Sequence, residues 1–109
     1  MISKTCKENI RKVLLYIREN TQDNGVVFIN AANLGIMLWG EKQILTHSSI
    51  QGLRDLASHM LNYLMRYGLI VTQDFRIDIK TGGRYYSLTY KGSTYLEKLE
   101  AECVAILST

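Results

Sequence analysis

Residues 61–71, LNYLMRYGLIV, say most about the fold, because the spacing of the apolar residues changes there. Upstream, apolar residues recur at helical spacing in one stripe: Leu53, Leu56, Ala57, Met60, Leu61 and Leu64. Gly68 accepts a positive φ and predicts the end of this helix as its C′ residue. Leu69, Ile70 and Val71 then begin a strand. We expect Leu64, Leu69 and Val71 to pack under the hairpin that follows.

The residues after this junction predict a β-hairpin and a last helix. Phe75, Ile77 and Ile79 alternate with polar residues, as in a half-exposed strand. The glycines of residues 81–83 (TGG) predict a tight turn, and residues 84–89 form the partner strand, with Tyr85 and Tyr86 on opposite faces and one of them in the core. A helix over about 91–107, capped by Thr89, carries an apolar side: Tyr95, Leu96, Leu99, Cys103, Ile106 and Leu107.

The residues before the junction predict two helices and a short strand. Residues 3–20 form a helix that Ser3 caps, with a buried stripe of Ile10, Val13, Leu14 and Ile17. Residues 26–29 (VVFI) form a brief strand, and residues 31–38 form a second helix, capped by Asn30 and burying Leu34, Met37 and Leu38. Residues 39–47 favour a loop or a short helical turn near 43–45. Ser48 or Ser49 is expected to cap the third helix.

The predicted order is helix, strand, helix, helix, strand, hairpin turn, strand, helix. This order predicts one domain over residues 1–109, of α+β class and mostly helical. It is the order of a winged helix-turn-helix: a three-helix core, a β-hairpin wing over about 69–89, and a C-terminal helix.

Residues 61–71 and 84–99 (RYYSLTYKGSTYLEKL) resemble MarR-type and PadR-type winged-helix regulators. In those families a Leu-x-x-x-Gly-Leu-Ile stretch precedes the wing and a Tyr-x-Leu-Thr-x-x-Gly stretch follows it. The family usually has a tight turn where this chain has residues 39–47. The resemblance implies a DNA-binding regulator whose third helix reads the DNA and whose wing contacts its backbone.

Composition bears on whether the protein is a membrane or a secreted protein. The chain has 109 residues, 47% of them apolar, and 13 basic against 10 acidic residues, for a net charge of +3. No apolar run approaches ~18 residues and no signal-peptide pattern is present, so we expect a cytoplasmic protein without a membrane segment.

The reactive residue types form no recognisable motif. Cys6 and Cys103 belong to no metal-ligand spacing, and we expect two reduced thiols, the alternatives being a redox switch or an intersubunit disulfide. His47 and His59 have no evident carboxylate or nucleophile partner. We therefore expect no metal, no cofactor and no enzymatic activity.

The third helix carries the candidate DNA-reading residues. Gln51, Arg54, Ser58 and Asn62 follow one another at helical spacing along one edge. Arg can donate two hydrogen bonds to guanine, and Gln or Asn can bond adenine in the same way. The alternative is an ordinary solvated helix face.

Two further groups suit DNA phosphates. Arg76, Lys80 and Arg84 surround the glycine turn of the wing, where cations can displace condensed counterions. Thr46, Ser48 and Ser49 cluster at the start of the third helix, where hydroxyls and free amides suit a phosphate oxygen, although capping accounts for at least one serine.

The sequence thus favours a sequence-specific double-stranded DNA-binding protein, a transcriptional or replicon regulator, forming a homodimer through its N- and C-terminal helices. One alternative is a winged-helix module that binds protein and not DNA. Another is a single-stranded nucleic-acid binder of a mobile element, for which several exposed aromatic residues on one surface are expected.

Overall fold

The computed structural model describes residues 4–23, 25–40, 46–74 and 83–108. These ranges contain helices α1 (Lys4–Asn20), α2 (Ala31–Trp39), α3 (His47–Arg66) and α4 (Tyr90–Ser108), and strands β1 (Val27–Ile29), β2 (Ile70–Asp74) and β3 (Arg84–Leu88). The α+β, mostly helical class predicted from the sequence is confirmed. The predicted strand at 75–79, the tip residues 81 and 82, and the suggested turn at 43–45 lie outside the described residues.

The three described strands form one antiparallel sheet with β3 in the middle, in the order β1-β3-β2. Val27 pairs with Tyr86 on one side of β3, and Ile70 pairs with Leu88 on the other. An irregularity between Thr72 and Asp74 interrupts the β2–β3 register. The sequence predicted β1 as a strand, but only the structure shows that β1 pairs with β3.

The junction of α3 and β2 is a Schellman motif. Gly68 has φ +73°, a conformation that favours glycine. Its N–H donates to the Met65 carbonyl at 3.0 Å, and the Leu69 N–H donates to the Leu64 carbonyl at 2.9 Å. Leu64 and Leu69 are both buried, which closes the junction with an apolar contact. The predicted helix end at Gly68 is confirmed.

The beginnings of α2 and α3 are capped by side chains. The Asn30 side-chain oxygen accepts from the N–H groups of Ala32 and Asn33, as expected. At α3 the prediction of a Ser48 or Ser49 cap is wrong, because Thr46 is the N-cap and Ser49 occupies position N3 of its capping box. The helix therefore begins two or three residues earlier than predicted. The hydroxyls of Thr46 and Ser49 accept from each other's backbone N–H groups and so stabilise this start.

Helices α2 and α3 make the most extensive contact between helices, and Gly35 sets how closely they approach. A Cβ atom at Gly35 would lie 2.6 Å from the carbonyl carbon of Leu53 and 2.9 Å from its Cβ. The obstructing atoms belong largely to the α3 backbone. Only glycine therefore allows this crossing.

The core lies between the helices and the sheet. It contains the predicted α1 stripe together with apolar residues of α3, β2 and α4: Ile10, Val13, Leu14, Ile17, Ala57, Leu61, Leu64, Ile70, Leu96 and Leu99.

Three residues predicted to be buried are exposed. Leu56 is 50% exposed, Met37 45% and Val71 40%. Leu56 lies about 100° around the helix from buried Ala57, beyond the face that neighbours cover. Val71 points away from the core because Ile70 points into it and strand side chains alternate.

Helix α4 packs against α1 within the same chain. The Arg18 guanidinium donates to both oxygens of Glu100, at 2.9 and 3.2 Å. Leu96 and Leu99 are buried beside it. The side chains of Cys6, Cys103, Ile106 and Leu107 lie outside the described residues. Among the helices of the described ranges, none is long and apolar enough to cross a membrane.

Candidate nucleic-acid interface

The candidate site begins with the outward edge of α3. Arg54, Ser58 and Asn62 are four residues apart and therefore lie on one side of the helix. Arg54 and Asn62 are exposed, and Ser58 is half-buried. The opposite flank of the helix is anchored in the core by Leu53, Ala57 and Leu64, so the polar edge is held in a fixed direction.

Strand β3 places a second arginine beside this edge. Arg84 is the first residue of β3 and pairs with Ile29 at the end of β1. Since β1 leads directly into α2, and α2 packs on α3, this pairing brings Arg84 to the polar edge of α3.

Together these residues line a groove of about 240 Å³, which we call the arginine groove. Its lining residues are Ile29, Ala31, Arg54, Ser58, Leu61, Asn62, Arg84 and Tyr86. Helix α3 forms one wall and β3 the other, and buried Leu61 and Tyr86 form the floor.

The arginine groove is electrostatically positive. Two of its lining residues are arginines and none is acidic. Burial raises the pKa of the Tyr86 hydroxyl above its ordinary value, an effect that the charge of Arg84 partly offsets. Tyr86 is therefore neutral at pH 7 and leaves the positive charge of the groove undiminished.

These side chains can recognise a phosphate or a base edge. Each guanidinium offers a planar fork of donors that suits a phosphate or the acceptors of guanine. The amide of Asn62 can donate and accept, and the Ser58 hydroxyl can do either. Within the described ranges, no group of three or more His, Cys, Asp or Glu residues is placed to hold a metal ion.

The structure brings together only some of the residues predicted for DNA contact. Arg54, Ser58, Asn62 and Arg84 share the arginine groove. Gln51 is exposed on the same helix but its amide donates to the Asp55 carboxylate at 3.3 Å. Arg76 and Lys80 lie outside the described residues.

The hydroxyl cluster at the start of α3 is largely used by the cap. The Thr46 N–H donates to Ser49 Oγ at 2.8 Å, and the Ser49 N–H donates to Thr46 Oγ1 at 3.1 Å. Ser48 is exposed and takes no part in this capping box. Of the three residues, Ser48 has the hydroxyl best placed for an external partner.

Tyr86 belongs to the site but was not predicted for it. The alternation of strand residues predicted that either Tyr85 or Tyr86 is buried, and Tyr86 is the buried one, 5% exposed. Tyr85 lies on the other face with its ring 5.2 Å from that of Phe28. The choice depends on how β1 pairs with β3, and no local pattern carries that information.

Comparison with known proteins adds no relative: no family model matches the chain, no curated protein matches it, and no solved structure matches it.

Proposed function

We propose that the chain is a winged helix-turn-helix protein that binds double-stranded DNA, with α3 entering the major groove and Arg84 of β3 contacting the phosphate backbone. The single observation that supports this most is the convergence of Arg54, Ser58, Asn62 and Arg84 on one positive groove.

The arrangement suits a duplex for geometric reasons. The major groove of B-DNA admits one α-helix, and α3 is a 20-residue helix with a polar outward edge. Arg54, in the first half of α3, is the residue we assign to a base edge. Arg84 sits on the neighbouring strand, to the side of α3, and is the residue we assign to the phosphates that border the major groove.

We further propose that the DNA-binding form is a homodimer and that the protein acts as a regulator without catalytic activity. One module of this size buries a limited DNA surface, so two copies on two half-sites would raise both affinity and specificity. The proposed dimer surface lies on the outward side of the α1–α4 pair, at the level of Arg18 and Glu100.

The test measures affinity for fluorescent duplexes by anisotropy as a function of salt concentration. Wild-type protein is expected to bind, with log affinity falling linearly against log salt. Arg84→Ala should weaken all duplexes equally and reduce the slope by about 0.9 per lost phosphate contact. Arg54→Ala should cost about 1–3 kcal/mol on the preferred sequence and relax the preference at one base pair. Lys12→Ala, which removes an exposed cation from α1, is the matched control and should change little.

Failure to bind any duplex at low salt would refute the proposal and favour the protein-interaction module. Equal effects of Arg54→Ala and Lys12→Ala would show that the arginine groove is not the contact surface. Sedimentation at increasing protein concentration tests the dimer separately, and a monomer mass throughout would remove that part alone.

A further inference from the structure

A second groove lies where the end of α3 meets the first turns of α4. Two adjoining hollows of about 150 and 360 Å³ share Leu69, Lys91 and Tyr95. Their polar and aromatic lining residues are Tyr63, Tyr67, Tyr90, Lys91, Thr94, Tyr95 and Lys98. We call this surface the tyrosine–lysine groove.

Two of its four tyrosines are exposed to solvent, and Tyr63 and Tyr95 are half-buried. Tyr90 is 89% exposed and Tyr67 is 52% exposed. The rings of Tyr63 and Tyr67 lie 4.6 Å apart between centroids and are tilted by 44°. Tyrosine gains from burying its ring, so two exposed rings in one groove indicate a surface that meets a partner.

Its charge is positive. Lys91 and Lys98 are both exposed and lie two helical turns apart, hence on one side of α4. The Lys91 side chain passes Gly68 at the α3 terminus, its Cδ 4.0 Å from the place of a Cβ on that glycine, and so lies beside Tyr67. None of the lining residues is acidic. Glu97 and Glu102 are also exposed on α4, but neither lines the groove.

We propose that the tyrosine–lysine groove binds single-stranded nucleic acid. Single-strand sites combine aromatic rings, on which successive bases stack, with cations that follow the phosphates. The two adjoining hollows of this groove are lined by both kinds of residue, with Tyr67 and Lys91 in one and Tyr90, Lys91 and Lys98 in the other. A duplex keeps its base faces stacked inside, so it cannot use the rings in this way.

The two grooves lie on opposite flanks of α3 and can be occupied at the same time. Asn62 and Tyr63 are neighbours in sequence and therefore point about 100° apart, and Arg54 and Tyr67 diverge further around the helix. The proposal thus adds a second ligand to the proposed binding of duplex DNA. Each of the two proposals can be correct without the other.

The test uses a fluorescent oligothymidylate of about 12 nucleotides, which forms no duplex and falls within the site sizes of single-strand-binding domains. Wild-type protein is expected to bind it. Tyr90→Ala should weaken binding at least about 5-fold, whereas Tyr90→Phe, which keeps the ring, should bind like wild type. Lys98→Gln should reduce the salt slope by about 0.7, and Lys12→Gln should leave it unchanged.

The same variants separate this site from the arginine groove. Tyr90→Ala should leave duplex binding intact, and Arg54→Ala should leave oligothymidylate binding intact. Because Tyr90 is almost fully exposed, its variants should unfold at the wild-type temperature, which circular dichroism checks. No binding of oligothymidylate at low salt overturns the proposal, including the case in which an acidic peptide binds instead. Binding that is unaffected by Tyr90→Ala and Lys98→Gln overturns it as well.

Discussion

Replacing Gly35 with alanine is expected to destabilise the protein, although a glycine-to-alanine change at an open helical position usually stabilises a protein. The new methyl group would meet Leu53 on α3, with 2.6 Å to its carbonyl carbon and 2.9 Å to its Cβ. Ordinary van der Waals contact needs about 3.5–4.0 Å between carbon atoms, so α2 and α3 must separate by about an ångström.

The expected magnitude comes from two opposing terms. Overpacking of a core contact costs about 1–3 kcal/mol, and we take about 3 because backbone atoms cannot rotate aside as a side chain does. Alanine in a helix interior recovers about 1 kcal/mol relative to glycine. The net loss in the free energy of unfolding is therefore about 2 kcal/mol, which lowers Tm by about 8–16 °C for a domain of this size.

Gly52 provides the matched control. It lies within α3, it is exposed, and a Cβ there meets nothing within 4 Å. Gly52→Ala should therefore raise the free energy of unfolding by up to about 1 kcal/mol. Urea unfolding followed by circular dichroism measures both variants against wild type. A neutral or stabilising Gly35→Ala, or equal effects of the two substitutions, would refute the close approach of α2 and α3.

Three further predictions concern a cap and two titrating groups. Thr89→Ala removes the hydroxyl that accepts from the Gly92 N–H at 2.9 Å and should lower the free energy of unfolding by about 1–2 kcal/mol. Thr89→Ser keeps a hydroxyl and should lose less. Equal losses in urea unfolding would contradict the cap. The hydrogen bond from Arg11 lowers the pKa of Glu8 below 4.5, so wild type should be more stable than Glu8→Gln above that pH. The difference should be less than about 0.5 kcal/mol, because the pair is only partly buried, and it should vanish as pH falls through the lowered pKa. Burial raises the pKa of Tyr86 above 10.0, so wild type should lose stability as pH rises from 10.0 through the raised pKa. Tyr86→Phe should lack this loss. If the stability of the two proteins falls in parallel over this pH range, the prediction is wrong.

Much of the fold was predictable because its signals are local. The α1 stripe appears in the sequence at helical spacing, and all of its members are buried as expected. Gly68 ends α3 and Thr89 begins α4 because positive φ and side-chain capping are properties of a few neighbouring residues. Some apolar residues predicted to be buried are exposed, because apolar character shows that a residue can be buried and does not show that a neighbour will cover it. Leu56 and Val71 are the clearest cases.

The candidate site likewise has features that local spacing predicts and features that only packing sets. The polar edge of α3 follows from the spacing of its residues, since Arg54, Ser58 and Asn62 must share one side of any helix that contains them. The positions of Arg84 beside this edge and of Tyr86 beneath it follow only from the packed fold, because both depend on β1 pairing with β3. The tyrosine–lysine groove likewise exists only once the end of α3 meets the start of α4. Contacts between residues far apart in the chain are set by the packing of whole elements, and no spacing within one element encodes them.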